Sequence, residues 1–250
     1  MQRDRWRAKI GIINPGHGGQ VLEEFELAAP KGVAFATASL GKPTGLNIQM
    51  VENMIRDVER VAKELSHDVG SGLEPFGGIE AILQCGTPLG FIHGVGSDKE
   101  LIKRIENAAG VPATTHMTSI VEALHKLEVK KVVAVAPYYP PEIVEKLGKF
   151  LVDSGFDVVA IASLADRPEI KATLPYGVYK PAKRFFQTAP PADGLLLCGG
   201  AARSFQILEA LEQDIGKPVT SSNQAGLWKV LSMVSVRERI HGYGRLLEMF

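Results

Sequence analysis

The sequence has little cysteine, no excess of either charge and no long apolar run, and each absence excludes a class of protein. Its 28 basic residues balance its 28 acidic residues over 250 positions. Without a basic excess, we expect no nucleic-acid partner and no binding to a membrane surface. No apolar run approaches the roughly 18 residues of a membrane helix, and the N-terminal residues lack the apolar segment of a signal peptide. We therefore predict a cytoplasmic protein.

The chain has two cysteines, Cys85 and Cys198, which are far apart in the sequence. A structural disulfide between them is not expected in a reducing compartment. They show no CxxC spacing, so they do not indicate a zinc site, and we predict no metal. One interpretation is that both are small, buried hydrophobic side chains. The segments around them favour a role in chemistry instead.

Strand-length apolar runs alternate with amphipathic helical segments along the chain. Hydrophobic residues make up 45% of the sequence and charged residues 22%, a composition that can form a packed core. Strands are predicted at residues 9–13, 32–37, 79–84, 111–115, 131–136, 157–161, 193–197 and 218–220. Helices are predicted at residues 48–65, 97–109, 118–127, 140–154 and 203–213, with a last helix capped by Ser221 or Ser222. Residues 164–180 give no clear pattern.

Some local patterns allow more detailed predictions. Residues 97–100 have the sequence of a capping box at the start of a helix. The pair Glu23-Glu24 is predicted to lie on the solvated face of a helix. Three histidines near strand ends are each predicted to be ordinary surface or loop residues: His17, His93 and His116.

One series of elements occurs twice in the same order: a strand, a cysteine motif, a helix, a short strand and a further helix. The first motif is Cys85-Gly86-Thr87 and the second is Cys198-Gly199-Gly200. Alternating strands and helices predict parallel sheets with helices on both faces, and therefore an α/β fold. No Pro- or Ser-rich linker separates the two halves, so we expect them to pack closely.

The carboxyl ends of parallel strands are where ligands bind in open α/β sheets. The residues predicted at that edge are Asn14, Pro15, Cys85, Gly86, Thr87, Tyr138, Cys198, Gly199 and Gly200. Glycines let an anionic ligand approach the backbone N–H groups closely. The helix N-termini that follow are expected to attract a carboxylate or an enolate and to lower the pKa of a nearby thiol.

Two thiols facing one ligand suggest a class of reaction. One thiolate can remove a proton from carbon or add to it, while the other thiol gives a proton back. This chemistry covers racemisation, cis–trans isomerisation and protonation after decarboxylation. It needs no metal or organic cofactor if the developing anion is well held.

The motifs resemble those of the aspartate/glutamate racemase superfamily, in its branch of arylmalonate decarboxylase and maleate cis–trans isomerase. The resembling segments are residues 10–15, 85–87, 111–115, 132–138, 193–200, 218–222 and 242–246. The resemblance implies two Rossmann-like halves with parallel four-stranded sheets, related by pseudo-two-fold symmetry. It also implies an active site in the cleft between the halves and no cofactor. We assign residues 1–116 and 222–250 to the N-terminal half and residues 117–221 to the C-terminal half.

The resemblance also implies roles for individual residues. In the decarboxylase a single cysteine, matched by Cys198, protonates the enediolate left when carbon dioxide departs. Its anion hole is matched by Thr87, Tyr138 and the backbone N–H of Gly199. The isomerase and the racemases have a second cysteine near Cys85.

The register around that second cysteine is open. An ungapped comparison with the decarboxylase puts Gly86 at the first-cysteine position, whereas the Cys-x-Thr pattern of the racemases puts Cys85 there. A shift of one residue turns a strand side chain to the opposite face. Pro88 departs from the decarboxylase pattern, because proline offers neither a hydroxyl nor an N–H to a carboxylate.

We therefore predict a cofactor-independent racemase or isomerase that uses Cys85 and Cys198 on a small carboxylate or dicarboxylate. The intermediate is expected to be a carbanion, an enediolate or a thioether. One alternative is an arylmalonate-type decarboxylase with Cys198 as the sole proton donor. Another, of a different class, is a carboxylate-binding protein with an inactive site. The predicted assembly is a monomer or a homodimer.

Overall fold

A computed structural model describes residues 6–16, 19–41, 45–67, 78–165 and 174–250. Within them the chain forms two four-stranded sheets, with strand orders β2-β1-β3-β4 and β6-β5-β7-β8. The strands are β1 (Ala8–Asn14), β2 (Val33–Ser39), β3 (Ala81–Gln84), β4 (Ala113–Thr115), β5 (Lys131–Ala136), β6 (Asp157–Ser163), β7 (Gly194–Leu197) and β8 (Val219–Ser221). All the pairings between these strands are parallel. The predicted α/β fold of two four-stranded parallel sheets is confirmed.

Helices cover both sheets. They are α1 (Gly19–Ala28), α2 (Ile48–His67), α3 (Pro88–Phe91), α4 (Ser97–Ala109), α5 (His116–Lys126), α6 (Pro141–Asp153), α7 (Pro175–Thr188), α8 (Phe205–Ile215) and α9 (Ser222–Met233), followed by a 3-10 helix at Arg245–Glu248. None of the helices in the described ranges is both long and apolar enough to cross a membrane.

The central strands are almost wholly buried, as expected for parallel strands covered on both faces. All seven residues of β1 and all four of β3 and of β7 are buried. Successive residues in these strands pack into two different apolar clusters. Ile82 and Leu196 belong to one cluster, whereas their neighbours Leu83 and Leu195 belong to the other.

The two cysteines occupy equivalent positions in the two sheets. The backbone N–H of Cys85 donates to the carbonyl of Ile13 at 2.8 Å, and that of Cys198 donates to the carbonyl of Val135 at 2.8 Å. Both follow directly on the third strand of their half, next to the central strand. The two motifs are therefore related by the repeat of the fold.

Helices α5 and α9 pack against each other where the halves meet. Each follows the last strand of its half, and α9 also packs against β3 and β4 as well as β8. The predicted boundaries of the two halves, at residues 116 and 222, lie at the starts of α5 and α9. The division itself stays a prediction.

Two details of the sequence-based prediction are wrong, and one segment that it left unassigned is a helix. Residues 174–180, which gave no clear pattern, include the first turns of α7, a helix that contains Pro181. The capping box is not formed, because Gly96 occupies the N-cap and the Ser97 hydroxyl donates to the carbonyls of Gly90 and Gly94. Glu24 is buried rather than solvated. The predicted serine cap of α9 is confirmed, with Ser221 accepting a hydrogen bond from the N–H of Gln224.

Candidate active site

A cavity of about 290 Å³ lies at the carboxyl ends of the strands. Its polar side is formed by strand ends and the residues that follow them. Its wall is formed by Asn14, Pro15, Gln20, Val21, Gly45, Leu46, Met50, Val51, Met54, Cys85, Gly86, Pro88, Leu89, Tyr138, Tyr139, Gly200 and Ala201. The cavity thus has one polar side with a thiol and one apolar side.

The structure brings most of the predicted site residues to this wall. The six that line the cavity are Asn14, Pro15, Cys85, Gly86, Tyr138 and Gly200. Thr87, Cys198 and Gly199 lie behind the wall, where the Cys198 Sγ is 3.7 Å from the Thr87 Oγ1. Of the two thiols, the one that lines the cavity is Cys85, although the motifs favoured Cys198.

Cys198 is surrounded by hydroxyl groups. Its thiol is in hydrogen-bonding contact with the side chains of Thr87, Tyr139 and Ser222. Burial raises the thiol pKa to about 11, and the three hydroxyls act in the opposite direction because they stabilise the thiolate. Tyr139 both contacts Cys198 and lines the cavity, so it lies between this thiol and the cavity.

Cys85 has a more apolar environment. It packs with the cluster that contains Val21, Phe25 and Leu83. Burial alone raises the pKa of its thiol well above the usual range. The net pKa of each thiol is thus raised and not lowered, because burial dominates at both cysteines, and both are neutral thiols at pH 7.

Asn14 is an unpartnered amide in the cavity wall. It is the last residue of β1 and is only 2% exposed. Neither its amide nitrogen nor its amide oxygen has a hydrogen-bond partner among the described residues. An unpartnered buried amide costs about 1–3 kcal/mol, which makes this side chain a candidate for binding a ligand in the cavity.

Tyr138 supplies a second polar group to the wall. The backbone N–H of Ala201 donates to the Tyr138 hydroxyl oxygen at 3.0 Å, which leaves the phenolic proton as a donor. The ring of Tyr138 packs on Gly199, where a Cβ atom would lie 2.9 Å from the ring carbon Cε1. Gly199 also has a φ of 144°, so glycine is required there.

Two backbone N–H groups of the cysteine motifs bond within the protein. The N–H of Gly199 donates to the Ser222 hydroxyl at 2.9 Å. The N–H of Gly86 donates to the Nδ1 atom of His116 at 3.3 Å. His116 is fully buried, and burial lowers its pKa to about 3. It is therefore a neutral core histidine that supports the Cys85-Gly86 turn, and its prediction as a surface or loop residue is wrong.

His93 is not among the residues that line the cavity. It is an exposed residue whose Nε2 atom is 3.4 Å from a carboxylate oxygen of Glu52. His17 lies outside the described residues. Within the described residues, no group of three or more His, Cys, Asp or Glu side chains could hold a metal ion.

Sequence reasoning did not single out Tyr139 or the apolar wall. Tyr139 directly follows Tyr138, and a β-alternation argument would place the two on opposite faces. Helix α2 provides Met50, Val51 and Met54 to the wall from its apolar stripe. That stripe predicted the helix, but it could not show that part of it faces a cavity.

Comparisons with known proteins agree on one family. A sequence model of arylmalonate decarboxylase matches residues 10–247. Arylmalonate decarboxylase of Bordetella bronchiseptica is 27% identical over 246 residues, which cover 96% of each chain. Maleate isomerase of Nocardia farcinica is 28% identical over 131 residues, 52% of this chain and 51% of the relative. The resemblance drawn from the motifs is confirmed, and so is its class of lyases and isomerases.

Solved structures show the same fold. Unliganded arylmalonate decarboxylase has a TM-score of 0.81 and 25% identity, covering 97% of this chain and 100% of that one. A cysteine-to-serine mutant of Nocardia farcinica maleate cis–trans isomerase, with a covalently bound succinylcysteine intermediate, has a TM-score of 0.82 and 21% identity. That match covers 97% of this chain and 99% of the isomerase.

Proposed function

The chain belongs to the arylmalonate decarboxylase family, and from that membership we propose that it is a cofactor-independent racemase or isomerase that uses cysteine. It moves a proton at the carbon next to the carboxylate of a small substrate. The observation that supports this best is the pair of thiols at equivalent strand ends of the two halves. Cys85 lines the cavity, and Cys198 contacts Tyr139 in the cavity wall.

The substrate class follows from the two sides of the cavity. The amide of Asn14 and the hydroxyl of Tyr138 can both donate to a carboxylate and to the enediolate formed from it. The opposite wall, with Leu46, Met50 and Met54, suits an apolar substituent on the reacting carbon. No Lys, Arg or His side chain is among the described lining residues, so these residues offer no charged partner to a second carboxylate. We propose a monocarboxylate with an aryl or alkyl group at its α-carbon.

The thiols differ in the role that each is suited to. Racemisation needs one thiolate to take the α-proton and one neutral thiol to give a proton to the opposite face. Hydroxyls of Thr87, Tyr139 and Ser222 stabilise the anion of Cys198, so this thiol ionises more readily and is assigned as the base. Its proton exchange with the substrate passes through the Tyr139 hydroxyl, which takes one proton as it gives one up. Cys85 then acts as the acid on the other face.

Decarboxylation of an apolar-substituted malonate is the second candidate. The similarity to the Bordetella bronchiseptica decarboxylase extends over 96% of the chain, whereas that to the curated maleate isomerase covers 52%. Loss of carbon dioxide leaves an enediolate that needs a single proton from a neutral thiol. Both cysteines are held in the neutral form by burial. The two cysteines are alternative donors of this proton. The geometry favours Cys85, because it lines the cavity, whereas the motif favours Cys198.

The test uses one preparation and three substrates. Purified protein is incubated in D₂O with one enantiomer of 2-phenylpropionate, with phenylmalonate and with maleate. Deuterium at the α-carbon and loss of optical rotation, without release of carbon dioxide, support racemisation. Carbon dioxide release from phenylmalonate supports the decarboxylase, and conversion of maleate to fumarate supports the cis–trans isomerase.

The variants Cys85→Ser and Cys198→Ser assign the thiols. We expect racemisation to fall at least 100-fold in each variant, because both thiols are required. If one variant keeps full activity, the two-thiol mechanism is wrong and the one-thiol reaction replaces it. If the unmodified protein turns over none of the three compounds but binds them, it is a carboxylate-binding protein with an inactive site.

A further inference from the structure

Glu24 is a buried carboxylate that the proposed chemistry does not use. It lies on α1, and its Oε1 atom accepts the backbone N–H groups of Ser204 at 2.5 Å and Phe205 at 2.7 Å. Its Oε2 atom accepts the side-chain amide of Asn223 at 2.6 Å. The carboxylate thus joins the N-terminal helix α1 to the starts of α8 and α9.

The contact with Asn223 continues to the cavity wall. The same Nδ2 atom that donates to Glu24 also donates to the backbone carbonyl of Gly200 at 2.9 Å. Gly200 lines the cavity and follows the Cys198-Gly199 pair. The chain of bonds from Glu24 through Asn223 therefore ends on the segment that borders the proposed substrate.

From these contacts we propose that ionised Glu24 is a positioning residue for this cavity. Through the Asn223 amide it holds the Gly200 carbonyl, and with it the adjoining Ala201, whose N–H donates to the Tyr138 hydroxyl that is proposed to bind the carboxylate. This inference deepens the proposed function and rests on it for the identity of the ligand. The bond chain itself is a property of the protein without substrate.

Protonation of Glu24 would break the bonds from Asn223 to Glu24 and Gly200, because the Asn223 side-chain amide can turn over. The Oδ1 atom of Asn223 has no hydrogen-bond partner among the described residues. A protonated carboxyl becomes a donor, so Asn223 gains a bond by turning Oδ1 towards it. That turn moves Nδ2 away and brings an acceptor against the Gly200 carbonyl.

The charged neighbours of Glu24 set the pH at which this happens. Burial raises its pKa to about 7, while the bonds from Asn223, Phe205 and Ser204 and the charge of Arg203 act to lower it. Arg203 is paired with Glu23 at 2.7 Å. On the other side of Gly200, His116 is held neutral by burial. The start of α8 supplies a partial positive charge that favours the ionised form.

Binding of phenylacetate, a carboxylate with an apolar ring, separates positioning from simple electrostatics. Its affinity is measured by calorimetry at pH 5.5 and pH 8 in the unmodified protein, in Glu24→Gln and in Glu26→Gln, a control on the exposed face of α1. We expect binding about fivefold weaker at pH 5.5 in the unmodified protein and in the control, and no pH effect in Glu24→Gln. If the Glu24 carboxylate acted only through its charge, it would repel phenylacetate at pH 8, and binding would be tighter at pH 5.5. Tighter binding at pH 5.5 would therefore overturn the proposal.

A second measurement needs neither a variant nor a ligand. The NMR signals of the Gly200 backbone amide and the Asn223 side-chain amide are followed from pH 5.5 to 8.5. Both should shift together with a midpoint near pH 7, and signals that do not change with pH would overturn the coupling. If they titrate while no carboxylate binds or reacts, the coupling stands and the proposed function fails.

Discussion

The buried carboxyl of Glu24 should make the stability of the protein fall as the pH rises. Its pKa is about 7 in the folded protein, against an ordinary value of 4.5. Between these two values the folded state binds more protons than the unfolded state, so the free energy of unfolding decreases with pH. At 1.36 kcal/mol for each pKa unit, the loss is about 3 kcal/mol. This contribution is fully present below pH 4.5 and is lost as the pH passes 7.

The substitution Glu24→Gln removes this dependence, because glutamine does not ionise. The assay is urea unfolding at pH 4.5, 6, 7 and 8, followed by the fluorescence of Trp6 and Trp228. The free energy of unfolding of the unmodified protein, minus that of Glu24→Gln, should fall by about 3 kcal/mol across this range. The exposed-site control Glu26→Gln should follow the unmodified protein. A difference between Glu24→Gln and the unmodified protein that stays constant within about 0.5 kcal/mol would refute the reasoning.

Three further predictions concern the cavity. Tyr138→Phe keeps the ring but removes a donor, so KM for the carboxylate should rise about tenfold with a smaller change in kcat; an unchanged KM would exclude this contact. Asn14→Leu removes a buried amide that has no hydrogen-bond partner among the described residues, so Tm should rise while carboxylate binding weakens. A fall in Tm together with loss of binding would indicate a structural role and contradict a ligand-binding one. Because the pKa of Cys198 is about 11, kcat/KM for racemisation should rise about tenfold for each pH unit between 7.5 and 9.5. A flat profile would indicate a neutral thiol donor.

Much of the fold could be predicted from the sequence because its strands are buried on both faces. Such strands are short, nearly continuous apolar runs, and residues 131–136 were predicted with the bounds that β5 has. Helix α7 was missed because Pro175 and Pro181 are both helix-breaking signals in most contexts. In the structure Pro175 is in the first turn, where proline is tolerated, and Pro181 is accommodated within the helix.

The site could be predicted where it depends on strand ends and not where it depends on distant contacts. Asn14, Cys85 and Tyr138 were predicted at one edge because parallel strands end together. The burial of Glu24 could not be predicted, because its partners Ser204 and Asn223 are 180 and 199 residues away. Adjacent glutamates on a helix usually indicate a solvated face, and one of this pair is indeed exposed.

The difference between the two cysteines comes from their surroundings and not from the backbone. Cys85 and Cys198 follow equivalent strands and donate the same backbone bond, each at 2.8 Å. Around Cys198 the fold places three hydroxyls that stabilise a thiolate, whereas burial alone acts on the pKa of Cys85. A symmetric backbone with an asymmetric environment therefore makes Cys198 the thiol that ionises more readily. In the proposed two-thiol reaction one cysteine must be ionised while the other is neutral, and the two exchange these states when the reaction runs in the opposite direction. The surroundings of Cys198 favour the state in which its own thiol is the ionised one.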